Sequence, residues 1–224
     1  MTNKNGYALD WSTLRRDWPI WLVMAGAFLV GVLVYPHLAD QVPIHWNVYG
    51  QPDNFAHKSL AVFLFPLTTV GLYGLLLVVP LLDPRRDNYA RFAGAYRLLR
   101  SGMVLIFTGI YLATLAAGLG YQFDIGMMVK GLVALLFILI GNMMGQVRHN
   151  YFVGIKVPWT LASEEVWRKT HRLAGRMWVV GGIICLVTAF VPGVFGAVVF
   201  FGAVLVMTVV PMVYSYIIYR QLHG

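Results

Sequence analysis

A single cysteine, Cys185, stands among 224 residues, so no intrachain disulfide can form and cysteine gives no reading of the redox compartment. Set inside an apolar run, it reads as a small buried apolar residue. Charge is scarce too. Only 12% of the residues are Asp, Glu, Lys or Arg, against about a quarter in a soluble globular domain. The interiors of the apolar runs lack acidic residues, which argues against a proton-coupled transporter. There is no nucleophile elbow or triad, P-loop, H-E-x-x-H, EF-hand loop or redox cysteine pair. No repeat symmetry relates the two halves, so an inverted-repeat carrier has no support. On these grounds the reading leans away from an enzyme.

What the chain has is hydrophobicity. Apolar residues make up 59% of it and the mean hydropathy is +0.70. Runs of about 20 apolar residues recur, long enough to cross a bilayer core as helices. They are continuous rather than alternating, which excludes a membrane barrel. Six spans are predicted, near Trp18–Leu38, Ser59–Leu82, Leu98–Tyr121, Ile125–Val147, Ala174–Val191 and Phe195–Tyr219. Pro66 and Pro80 predict a kink in the second, and Pro211 lies inside the sixth. Pro192-Gly193 separates the last two spans as a turn. The first span is too long for a signal-peptide core and lacks a small-x-small cleavage site, so it reads as a retained anchor.

The net charge of +8 is explained by where the cations lie. With the N-terminus inside, Lys4, Arg15 and Arg16, the segment Arg85–Arg100, the segment Arg148–Arg176 and Arg220 all face inward. Only Lys58 and Lys130 of the 17 basic residues face outward. That asymmetry predicts both termini on the cytoplasmic side of the cell membrane, and no direct contact with nucleic acid. The expected fold is therefore an all-α polytopic membrane bundle forming one membrane domain. Residues 1–121 would supply three spans and an outer loop at 39–58. Residues 122–224 would supply three spans and an inner loop at 148–173.

The outer loop contains VPIHWNVYGQPDNFAHK, Val42 to Lys58. His45, Asp53 and His57 offer imidazole and carboxylate groups suited to zinc or to a pH switch. Their spacing, H-x7-D-x3-H, matches no tight metal signature. The structural alternative places His45 and Trp46 at the membrane interface, with Asn47, Gly50, Pro52 and Asp53 in turns.

The inner segment begins inside the fourth span. Gly141 and Gly145 are spaced for close helix approach, and Asn142 between them is expected to hydrogen-bond across helices, as packing glue or as part of a signalling or transport path. Ser163 is an expected N-cap, followed by Glu164 and Glu165 in a first turn where negative charge suits the helix dipole. Trp167, Thr170, His171, Ala174, Met177 and Trp178 then share one helical face flanked by Arg168, Lys169, Arg172 and Arg176. This predicts an amphipathic helix along the inner membrane surface that runs into the fifth span, serving as an anchor or as a docking platform. Lys130, near the outer end of the fourth span, is expected to snorkel outward. The arginines of the segment Arg85–Arg100 read most simply as an orientation signal.

Two motifs carry a family resemblance. Val42-Pro43-Ile44-His45-Trp46-Asn47, followed by Gly50 and Pro52-Asp53, resembles a bacterial membrane domain of unknown function marked by I-P-x-H-W-N, a glycine and P-D. The inner segment combines Gly141-Asn142, Asn150-Tyr151-x-x-Gly154-Ile155, Pro158-Trp159-Thr160-Leu161 and Trp167-x-x-Thr170-His171. In this it resembles the SdpI family. That family is named for an immunity protein that protects its producer against a secreted killing peptide. It also relays the peptide's presence by holding a repressor at the membrane. The resemblance implies a multispan inner-membrane protein giving resistance to an antibacterial peptide, with membrane lipid, an extracellular peptide and a cytoplasmic regulator as partners. No cofactor is expected, zinc on the outer loop being the alternative.

The expected ligand-binding surface is His45, Trp46, Asn47, Gly50, Asp53, His57 and Lys58. The expected inner platform is Asn142, Asn150, Tyr151, Gly154, Pro158, Trp159, Thr160, Trp167 and His171. The alternatives are a metal-dependent membrane enzyme, with zinc on His45, Asp53 and His57, and a small-solute transporter or channel. The sequence leaves the oligomeric state open.

Overall fold

The computed structural model describes residues 7–47 and 50–223. Lys4, used in assigning orientation, lies outside them. A short helix α1 (Trp11–Arg16) leads into α2 (Trp18–Val34), which ends in a 3₁₀ turn at Tyr35–His37. Strands β1 (Gln41–Trp46) and β2 (Pro52–His57) follow, then α3 (Lys58–Leu82), a 3₁₀ segment Arg86–Phe92, and α4 (Ala93–Gly118). The second half holds α5 (Ile125–Met144), a short α6 (Pro158–Ala162), α7 (Glu164–Ala189) and α8 (Gly193–His223). Six of these helices, α2, α3, α4, α5, α7 and α8, are long and apolar enough to cross a membrane. The protein is a multi-pass helical membrane protein, as its apolar runs predict.

The all-α expectation needs one correction: the loop predicted to face outward is an antiparallel β-hairpin. Gln41 pairs with His57, Val42 with Ala56 and Pro43 with Phe55, and the register shifts around His45. Val42, Ile44 and Trp46 recur at every second position, between Gln41, Pro43 and His45, a period that suits a strand lying on a surface. Asn47 and Gly50 close the turn, with the Gly50 amide donating to the Asn47 carbonyl at 2.9 Å and Gly50 at φ +76°.

Packing divides by position along the bundle. Helices α2, α3 and α4 pack together, and α7 lies between α5 and α8. Glycine sets the closeness of the α5–α7 crossing. A Cβ on Gly141 would come within 2.7 Å of the Val179 amide nitrogen and 2.9 Å of the Gly175 carbonyl. The predicted small-residue contact is therefore met at Gly141. A Cβ on Gly145 would enter open space, and α7 answers with a glycine of its own, Gly175.

Three prolines inside spans each orphan the carbonyl four residues earlier, because proline has no N–H to donate. In each case an aromatic side chain on a neighbouring helix supplies the missing donor. The Tyr111 hydroxyl donates to the Val62 carbonyl (3.1 Å), opposite Pro66. The Tyr96 hydroxyl donates to the Leu76 carbonyl, opposite Pro80. The Trp178 indole donates to the Met207 carbonyl (2.8 Å), opposite Pro211. In a medium without water such carbonyls must be satisfied internally, so these contacts fix which helices are neighbours. Helices α3 and α8 consequently continue through their prolines.

Candidate functional site

Chemistry concentrates at the two ends of the bundle. At one end the hairpin is rooted by Val42, fully buried among Leu38, Ala61, Val62, Tyr111 and Leu115. The absence of a side chain at Gly118 makes the slot, since a Cβ there would lie within 2.9–3.1 Å of Leu38 and Val42. Lys58 secures the base of the hairpin. Its ammonium meets the Asp40 carboxylate at 2.9 Å, donates to the Leu38 carbonyl at 3.4 Å and lies 5.3 Å from the Tyr35 ring centre. The hydrogen bond and then the charge of Lys58 hold the exposed Asp40 carboxyl below the usual carboxylate range. At the far end of the hairpin, Gly50 abuts the start of α5. A Cβ on Gly50 would lie 3.3 Å from Asp124 Oδ1, the same carboxylate oxygen that caps α5 through the Met127 amide at 2.7 Å.

The predicted outer residues separate into three groups. His45 and Asp53 meet across the strands at 2.6 Å, both exposed. Trp46 is half-buried, and Asn47 accepts from the Gln51 amide at 3.1 Å within the turn. His57 points elsewhere: its Nδ1 accepts from the Ser59 amide and meets the Ser59 hydroxyl at 2.8 Å, capping α3. His45, Asp53 and His57 are thus not gathered into one ligand set. Among the described residues no group of three or more His, Cys, Asp or Glu could hold a metal ion.

The opposite end carries a buried polar network that joins the two halves of the chain. Asp83, just past α3, accepts from the Arg85 amide at 2.7 Å, the Tyr89 hydroxyl at 3.1 Å and the Tyr151 amide at 2.9 Å. Asn150, fully buried, uses its whole amide. Its Oδ1 accepts from Phe152, Val153 and Tyr89, and its Nδ2 donates to the Arg148 and Val153 carbonyls. Asn88 donates to the His149 carbonyl at 2.8 Å, and the Arg85 guanidinium meets His149 Nδ1. His149 then lies against the Trp167 ring (5.0 Å), which stacks on His171 (4.0 Å). Burial first, and the Arg85 cation next, hold the His149 imidazole below its ordinary pKa. The carbonyl of Trp167 accepts from His171 Nδ1 at 2.8 Å, leaving Nε2 to accept from the Ile155 amide at 3.0 Å. His171 is therefore the neutral Nδ1–H tautomer. Gly154 makes room for it: at φ +119°, a Cβ would lie 2.4 Å from His171 Nε2.

Most of the predicted inner platform converges here. Asn150, Gly154, Trp167 and His171 are parts of one network, and the Tyr151 ring lies 5.4 Å from the Arg85 guanidinium carbon. Pro158 opens α6, Thr160 accepts from the Val157 amide at 3.0 Å, and the Trp159 indole reaches the Ser215 hydroxyl of α8. Two expectations fail. Asn142 is exposed and donates to the Ile138 carbonyl of its own helix rather than across helices. The helix containing Trp167 runs into the fifth span as expected, but its aromatic face is not turned outward. It is the first part of α7, continuous with the span, and it buries Trp167 and His171 in the bundle.

Sequence reasoning missed Asp83, Asn88, Tyr89 and His149. It also missed an ion pair between Arg100 and Asp17 (2.7 Å), buried on both sides, where Tyr73 donates to Asp17 at 3.0 Å. Arg100 and Arg85 are consequently structural partners and not only orientation signals. The one available signal was the loop itself, where Asp83, Asn88 and Tyr89 lie among cations between two spans.

Two segments of the chain match protein families. Residues 146–215 match the SdpI/YfhL protein family. Residues 22–70 match a domain of unknown function, DUF1648. These are the two motif regions singled out by the sequence, and they hold most of the inner network and the whole hairpin. The chain is similar to "Immunity protein SdpI" of Bacillus subtilis (strain 168), 27% identical over 203 residues, covering 91% of this chain and 95% of that protein. It is also similar to "Uncharacterized membrane protein YbgB" of the same organism, 31% identical over 51 residues, covering 23% of this chain and 56% of that protein. No solved structure matches.

Proposed function

We propose that the protein is an immunity-type membrane protein that gives its cell resistance to a secreted antibacterial peptide. The observation that carries this reading is the nearly end-to-end similarity to a protein named for immunity. Both termini face the cytoplasm, in keeping with the distribution of Lys and Arg, and the hairpin faces outward. Its side chains supply the recognition surface. Trp46 offers apolar contact, and His45, Asn47 and Asp53 offer hydrogen-bonding groups.

The reading extends to a relay toward a cytoplasmic regulator. The hairpin rests on α3, α4 and the start of α5, while Asp83 and Asn150 tie the far ends of the same helices to the inner loop. Peptide binding that favours one packing of these helices would change what the inner loop exposes. The test is survival of sensitive cells expressing the chain, scored peptide by peptide. Replacing His45, Trp46 and Asp53 together should abolish protection at unchanged expression. Unchanged protection would overturn the role given to the hairpin. Labelling of a reporter at Asn54 only after cell lysis would overturn the orientation.

A further inference from the structure

Asn142, Arg172 and Arg176 have no role in the inner network, yet they line one groove. Asn142 is exposed on α5, and Arg172 and Arg176 are exposed one turn apart on α7. No acidic side chain pairs with either arginine among the described residues. The groove, about 520 Å³, is floored by Gly141, Gly145 and Gly175, so the polar groups surround bare backbone. Arg176 and Val180 also stand in the wall of a second groove, of about 570 Å³, on the other side of α7 against α8. The second groove is almost wholly apolar, with Gly181, Ile184, Gly202 and Met207 in its walls.

Depth makes the arginines unusual. Ala189 ends α7 at the hairpin side. At 1.5 Å per residue, Arg176 lies about 20 Å from that end. Arg172 and Arg176 thus stand in the half of α7 away from the hairpin, within a helix long and apolar enough to cross a membrane. Two guanidinium groups without an acidic partner on a membrane-spanning helix suit an anion at the lipid headgroups, and the guanidinium fork matches a phosphate in shape as well as charge. The apolar groove between α7 and α8 lies alongside, with Arg176 in its wall.

We propose that these two neighbouring grooves, with Arg176 in the wall of both, bind one anionic phospholipid in the leaflet opposite the hairpin. The phosphate sits on Arg172 and Arg176 beside the Asn142 amide, and one acyl chain lies between α7 and α8. A zwitterionic lipid places a cationic headgroup near the same arginines and binds less well.

Native mass spectrometry of the detergent-solubilised full chain, titrated with phosphatidylglycerol or phosphatidylcholine, tests this. The wild type should retain one phosphatidylglycerol in preference to phosphatidylcholine. The double variant Arg172→Gln/Arg176→Gln should bind phosphatidylglycerol at least about tenfold more weakly. Arg91→Gln/Arg97→Gln, with the same charge change on exposed positions outside the groove, should bind as the wild type does. Gly202→Phe fills the apolar groove from a position where a Cβ meets nothing within 4 Å, and it should also weaken retention. Equal binding of the two lipids, or equal losses in the two double variants, would overturn the proposal. So would a dimer that Gly202→Phe dissociates without any change in lipid retention, since a second copy would then occupy the groove.

Discussion

Removing one oxygen atom tests whether aromatic donors offset the prolines. Tyr111 is 1% exposed, and its hydroxyl donates to the carbonyl of Val62, which is fully buried. Gly31 on α2 leaves space for that hydroxyl, since a Cβ there would come within 1.8 Å of it. Tyr111→Phe keeps the ring and its packing but strands the Val62 carbonyl, because Pro66 cannot donate to it. An unsatisfied buried carbonyl costs about 1–3 kcal/mol. Hydrogen bonds within membrane bundles average about 0.6 kcal/mol and reach about 1.7, so about 1–2 kcal/mol is the expected loss.

The decisive measurement repeats this change in a Pro66→Ala background. There the new backbone amide at position 66 can donate to the Val62 carbonyl along the helix, and the tyrosine hydroxyl loses its purpose. Unfolding free energies in mixed micelles for the four proteins should show a coupling of about 1 kcal/mol between the two positions. Equal costs for Tyr111→Phe in both backgrounds would refute the reasoning.

Breaking the Asp17–Arg100 pair from one side, as Arg100→Met, should cost about 3–5 kcal/mol, because it leaves a buried carboxylate unpaired. The Asp17→Asn/Arg100→Met double variant should recover a large part of that loss in the same unfolding assay, and purely additive losses would contradict this. Gly154→Ala should lose about 2 kcal/mol or more, from strain at positive φ and from the clash with His171. Amide exchange at Ile155 should accelerate with it, and protection as in the wild type would argue against the contact. His149 is held neutral in the fold, with its pKa below the unfolded value, so the unfolded chain takes up the proton first as pH falls. Stability should be undiminished by this group above about pH 6.5 and fall below it, and His149→Gln should show a shallower acid loss in midpoint against pH. Gly118→Leu should unseat Val42 and speed amide exchange across both hairpin strands while the spans keep their protection. Uniform acceleration instead would mean that the hairpin is not separately rooted.

Hydropathy alone determined that this chain is a bundle of six spans, because a run of about 20 apolar residues has one stable solution in a bilayer. The two motif regions were likewise legible, since their turn and cap chemistry is local. The hairpin was not, although its alternation is visible in hindsight, because a short strand needs a partner whose register no local pattern declares. Asn142 and Asn150 show the same division. Both are polar residues near a span's end, and only packing decides that one faces outward while the other is enclosed by five hydrogen bonds. Each proline announced an orphaned carbonyl through the sequence. Which tyrosine or tryptophan would answer it depended on helices brought together from 20 to 49 positions away, and that is settled by tertiary packing.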